Sequence, residues 1–176
     1  MEETQAFENR VLESLNSAST VRDFMLRAAD LLAEAVSVLM LQVFRKDDYA
    51  VKYAVEPLMM GTGPLGDLCV RLKLIYGLGM IGRKEYEDAE LLMALSDELL
   101  HDGRHYRFTD DEILGPIGEL HCVGMLPAQP PLPAGEDVAD DLLISMQQQR
   151  YQQMVRSTLV LSLTELISQI SMKKAF

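Results

Sequence analysis

Basic residues are scarce in this chain. Its 176 residues include 16 Lys and Arg against 27 Asp and Glu, a formal net charge of −11. A protein that grips duplex DNA unaided neutralises several phosphates and needs a basic face to do so. So large an anionic excess repels a polyanion inside a Debye length, which disfavours autonomous DNA binding. Cysteine is rare as well. Cys69 and Cys122 have no companion ligands nearby in sequence, so both are expected as reduced thiols, outside any disulfide or metal site. The opening MEETQAFENR is acidic and lacks the apolar core of a secretory signal. The longest apolar run, Ala35 to Phe44, is broken by Ser37 and Gln42, too short to span a bilayer. These absences place the chain in the cytoplasm with no membrane contact. No Walker motif, nucleophile elbow or dinucleotide fingerprint occurs. No segment reads as a strand, and nothing repeats. No aromatics interleave with the basic groups, as a single-stranded nucleic-acid platform requires. No cofactor is implied.

Helical periodicity is what the chain does have. Hydrophobic residues make up 48%, enough to give 1–176 one compact core. The expected fold is all-α: a single-domain bundle of about seven helices with a long C-terminal helix. Glu3 to Leu15 forms the first helix. Thr20 is an N-cap for a second, in which Val21, Phe24, Ala28, Leu31, Leu32, Ala35, Val38 and Leu39 keep helical spacing. Around Val36 this helix is apolar on nearly every side, so it belongs at the centre. Tyr49 to Leu58 is a short helix near Pro57, and Met60 to Pro64 a turn. The next helix carries Leu65, Leu68, Cys69, Leu72, Ile75 and Tyr76 as its core stripe, with Asp67 and Arg71 paired on its polar side. It stops at Gly77-Leu78-Gly79. Arg83 to His101 follows, with Tyr86, Ala89, Leu92, Met93 and Leu100 inward and Gly103 as a left-handed cap. Thr109 and Glu112 form a capping box for the helix after it. Residues 122–137 contain four prolines and read as an extended loop. A final helix from about Val138 to Ile170 is long enough to overhang the domain, favouring a homodimer.

Several constellations have bland readings that outweigh sharper ones. His101 and His105 are four apart, as in helical zinc sites, but Gly103 interrupts the helix between them; no metal site is expected. The acids Glu85, Glu87, Asp88 and Glu90 complement a helix N-terminus and keep it solvated. The pair of helices around Gly77-Leu78-Gly79 imitates a helix-turn-helix. Its would-be reading helix, however, sets Arg83 and Lys84 against Glu85, Glu87, Asp88, Glu90, Asp97 and Glu98, and a major groove repels it. Small basic groups occur at Arg45-Lys46, Arg83-Lys84, Arg104-His105-Arg107 and Lys173-Lys174. Two of them converging in space would contact a phosphate backbone or an acidic partner. The candidate binding surface is the polar seam of Arg71, Lys73, His101, Arg104 and His105. No residue has a catalytic role.

Five runs carry a resemblance: LQVFRKDDYAVKYAVEPL (41–58), GPLGDLCVRLKLIYGLG (63–79), EYEDAELLMAL (85–95), FTDDEILGPIGELHCV (108–123) and RYQQMVRSTLVLSLTELISQISMKKAF (150–176). They closely resemble the bacterial mannitol operon repressor family over nearly the whole chain. The resemblance implies an all-helical cytoplasmic protein that lowers expression of genes for mannitol uptake and catabolism, among them a phosphotransferase-system transporter. Set beside the charge, it implies repression through another protein, as corepressor or as sequestering partner of a regulator or a phosphotransferase-system component. A more distant likeness links the order of helix, YGLG, acidic helix and His101 to the HEPN superfamily, many of whose members are ribonucleases with an RxxxxH pattern. Here Ser96 stands where that arginine falls. The alternative is therefore a HEPN-like nucleic-acid enzyme or degenerate ribonuclease, in which Arg104 or Arg107 supplies the missing charge.

Overall fold

The computed structural model describes residues 2–44, 49–129 and 138–173. Arg45, Lys46, Asp47, Asp48, three of the four prolines of the extended loop (Pro130, Pro131 and Pro133) and Lys174 lie outside the described residues. Seven helices and no strand occur among the described residues: α1 (Glu2–Ser17), α2 (Val21–Leu41), α3 (Val51–Met59), α4 (Leu68–Gly77), α5 (Arg83–His101), α6 (Asp111–Glu119) and α7 (Val138–Met172).

The apolar character of α2 puts it at the centre, where it packs against α1, α4, α5 and α7. Phe24, Met25, Leu32, Val36, Leu39 and Met40 are wholly buried along it, and Phe24 meets Phe108 edge to face at 5.3 Å. Thr20 opens the helix as the sequence predicts, its hydroxyl accepting from the Asp23 amide at 3.0 Å. α7 lies along α1 and α2. Val155, Leu159, Leu163, Ile167 and Ile170 form its buried stripe, each 0% exposed. Its N-terminal third leaves Leu142, Leu143 and Met146 exposed.

Where α4 ends, Gly79 takes φ +74°, a left-handed conformation that favours glycine. The Met80 amide bonds the Ile75 carbonyl, and the Gly79 amide that of Tyr76, the Schellman pattern. Met80 and Ile75 are both buried across that turn.

Several local expectations fail. The α5 helix ends on an extended Asp102, and Gly103 is not among the glycines at positive φ; the 102–107 segment runs out extended, so no left-handed cap is needed. The residue that caps α6 is Asp110, not Thr109. Its carboxylate is taken by the Arg107 amide at 2.8 Å, which leaves no capping box. Asp67 caps α4 through the Cys69 amide at 2.8 Å, and Arg71 turns away from it. Cys69 and Leu100 are exposed, because the groove between α4 and α5 leaves those positions uncovered. Val38 on α2 is exposed as well.

Arginines hold the connections. Arg71 donates to Ser37 Oγ at 2.7 Å, to the carbonyls of Met59 (3.2 Å) and Gly66 (3.3 Å), and to that of Leu65. It thereby ties the α3–α4 loop to α2. Arg156 of α7 does the same for the end of α1, reaching the carbonyls of Asn16 at 2.7 Å and Ala18 at 2.5 Å. Cationic donors on free C-terminal carbonyls satisfy groups a helix cannot satisfy itself.

The acidic face of α5 is only partly a solvated face. Asp88 is 2% exposed. Its carboxylate accepts from the backbone amides of His121 (2.7 Å) and Cys122 (2.9 Å), pinning the turn after α6. Glu85 bonds Lys173 at 2.6 Å.

Candidate functional site

A basic cleft of about 570 Å³ lies where three elements meet. The start of α2 gives Ser19, Thr20, Val21 and Arg22. The extended segment after α5 gives Arg104, His105 and Arg107. The middle of α7 gives Gln149, Gln152, Gln153 and Arg156. Four arginines line it, and none of its lining residues is acidic, on a chain of net charge −11. Arg22 donates to the Leu100 carbonyl at 3.1 Å, closing the end of α5. Arg104 makes a long approach to Asp102, with 3.8 Å between Nε and Oδ1. The Asp102 carboxylate accepts from the Tyr106 hydroxyl at 2.5 Å and the Arg104 amide at 3.0 Å. Those two bonds, that of Tyr106 first, hold its carboxyl below the usual range, so Asp102 anchors the segment that presents Arg104, His105 and Arg107.

A second concavity differs in kind. It is an apolar groove of about 680 Å³ between α2, α4 and α5, floored by Leu26, Ala29, Leu68, Leu72, Met93, Ala94 and Leu100. Its acids are Asp30, Glu90 and Asp97, and no basic residue lines it. Cys69 lies within it. Its thiol is pushed up by burial and by Asp67, so it stays protonated at neutral pH.

The five residues of the predicted seam are not brought together. Arg104 and His105 share the basic cleft. Arg71 is spent on the α3–α4 loop. Lys73 is exposed on α4, lining neither concavity. His101 is exposed outside the cleft, its Nδ1 2.8 Å from the Asp97 carbonyl. Among the described residues no group of three or more His, Cys, Asp and Glu is placed to hold a metal ion. No helix there is long and apolar enough to cross a membrane.

The sequence profile of the mannitol repressor family matches residues 7–171. The chain belongs to that family. The mannitol operon repressor of Escherichia coli strain K12 is 72% identical over 176 residues, which cover all of this chain and 88% of that protein. The X-ray structure of the MtlR–HPr complex from Escherichia coli contains a chain 71% identical to this one. It superposes with a TM-score of 0.87, covering 95% of this chain and 99% of that one. Fumarase E of Escherichia coli strain K12 is 37% identical over 82 residues, 46% of this chain and 48% of that protein.

Within this mannitol repressor fold, sequence reasoning found the 104–107 basic group but missed its companions. Arg22 stands two residues after the Thr20 cap, and Arg156 lies mid-way along α7. Neither sits in a basic run, so no local signal marks them; only the packing of α7 against α1 and α2 places them beside Arg104. The apolar groove is legible in the sequence only as two helical stripes, whose periodicity places Cys69 and Leu100 in the core.

Proposed function

We propose that this protein represses a mannitol operon by contact with another protein, a phosphotransferase-system component of the HPr kind, and does not hold the operator unaided. One observation carries the reading. The chain superposes almost end to end on a close relative whose structure is that of a complex with HPr. The net charge of −11 supports it from the other side, since an anionic bundle is repelled by duplex DNA. In our reading the partner docks on the groove between α2, α4 and α5. The exposed Leu100 and the half-buried apolar side chains beside it lose water on contact, and Asp30, Glu90 and Asp97 select a partner with basic residues around an apolar centre.

The chain acts by binding and not by catalysis. In support, Ser96 is buried beside the groove while His101 is held on the Asp97 carbonyl outside the basic cleft. The two positions of the ribonuclease-like pattern therefore do not share a site. The test pairs two measurements at physiological salt. Purified HPr is expected to co-elute with the protein, and an operator fragment is expected to migrate unshifted with the protein alone. Sequence-specific retention of the operator, with no HPr complex, overturns the proposal.

A further inference from the structure

We propose that the basic cleft binds a phosphate monoester of a small polyhydroxy compound. Its anionic half follows from charge. Four arginines line the cleft with no carboxylate among the lining residues, so an anion entering it meets a local positive potential on an otherwise acidic protein. Arg22 and Arg156 are fixed by carbonyls on the protein side. Among the described residues the Arg107 side chain has no hydrogen-bond or ion-pair partner; its backbone amide donates to the Asp110 carboxylate and its carbonyl accepts from the Asp110 amide. Guanidinium groups match phosphate oxygens bidentately. The cleft also contains the first residues of α2, Val21 and Arg22, whose amides have no preceding turn to bond. They add N–H donors and the positive end of a 21-residue helix dipole.

The polyhydroxy half follows from the opposite wall. α7 contributes Gln149, Gln152 and Gln153 there, and their side-chain amides have no hydrogen-bond partner among the described residues. A primary amide both donates and accepts, as a hydroxyl does, so three of them suit a run of hydroxyl groups better than an apolar or aromatic ligand. A cleft of about 570 Å³ is of small-molecule size. It is a local concavity on an acidic protein, not a ridge that follows a duplex.

The experiment is calorimetric titration of the full chain with mannitol 1-phosphate, free mannitol, inorganic phosphate and a short DNA duplex. The ester is expected to bind, with mannitol and phosphate each weaker by at least about tenfold. Arg104→Ala with Arg107→Ala is expected to weaken the ester by about tenfold or more, with the melting temperature and HPr co-elution unchanged. Arg107→Gln alone provides the same readout should the double variant fold poorly. Four results overturn the proposal: no heat with the ester, equal binding of mannitol, equal binding of inorganic phosphate, or undiminished binding by both variants. Duplex binding that is lost with Arg104 and Arg107 also overturns it, in favour of a nucleic-acid site. HPr binding is scored separately, so the two readings fail independently.

Discussion

The groove and the cleft are both concavities partly lined by α5 or its C-terminal extension, yet they are opposites. The groove is apolar with three acids and no base; the cleft has four arginines and no acid. Net charge describes neither. The surplus of carboxylates is a property of the whole surface, and it hides a local patch of the opposite sign. The difference teaches that residue type alone does not mark a functional group here. Asp88 and Arg71 are structural fixings, whereas Arg107 and Asp97, whose carboxylate lies 3.7 Å from His101 Nδ1, are surface charges.

The largest expected effect tests that distinction on the acids. Asp88→Ala removes a buried carboxylate that accepts from two part-buried amides, and its cost is expected to be ~3 kcal/mol in denaturant unfolding. Asp30→Lys with Asp97→Lys, both in the groove, is expected to leave unfolding almost unchanged while weakening HPr binding by about thirtyfold or more. Equal stability losses in both variants would erase the contrast. On the arginines, Arg71→Ala is expected to lose ~2 kcal/mol, because four acceptors are left without a donor, and Arg107→Ala to lose almost nothing.

Smaller effects follow from titration. Glu87 is held below the usual carboxyl range by hydrogen bonds from Arg83 and His121, and Asp102 by those from Tyr106 and the Arg104 amide. A depressed folded value contributes stability above the ordinary carboxyl pKa, which is lost as pH falls through the folded one. Melting temperature is therefore expected to fall as pH drops below about 4, and Tyr106→Phe to flatten part of that fall. The smallest effect is kinetic. Burial, then Asp88, raises the Cys122 thiol to about 12, while Cys69 is exposed in the groove. A maleimide is expected to label Cys69 first, more slowly when HPr is bound.

Helix order, the Thr20 cap, the Gly79 stop and the central place of α2 were legible in the sequence, because periodicity and capping are local. What was not legible depends on tertiary contacts. Asp88 reads as one more acid at a helix start until the turn at His121 and Cys122 folds onto it. Arg71 reads as the i+4 partner of Asp67 until the α3–α4 loop presents its carbonyls. The cleft needs Arg22, Arg107 and Arg156 from three elements up to 134 positions apart, and no window spans them. The functional expectation came from resemblance; the charge argument agreed with it but did not name a partner.

Hydrogen exchange with and without HPr tests the central claim most directly. Protection is predicted along the exposed, groove-lining parts of α4 and α5, around Leu68 to Leu72 and Glu90 to Leu100, with the 102–108 segment unchanged. Protection confined to the 102–108 segment and the start of α2, or none anywhere, would contradict the account.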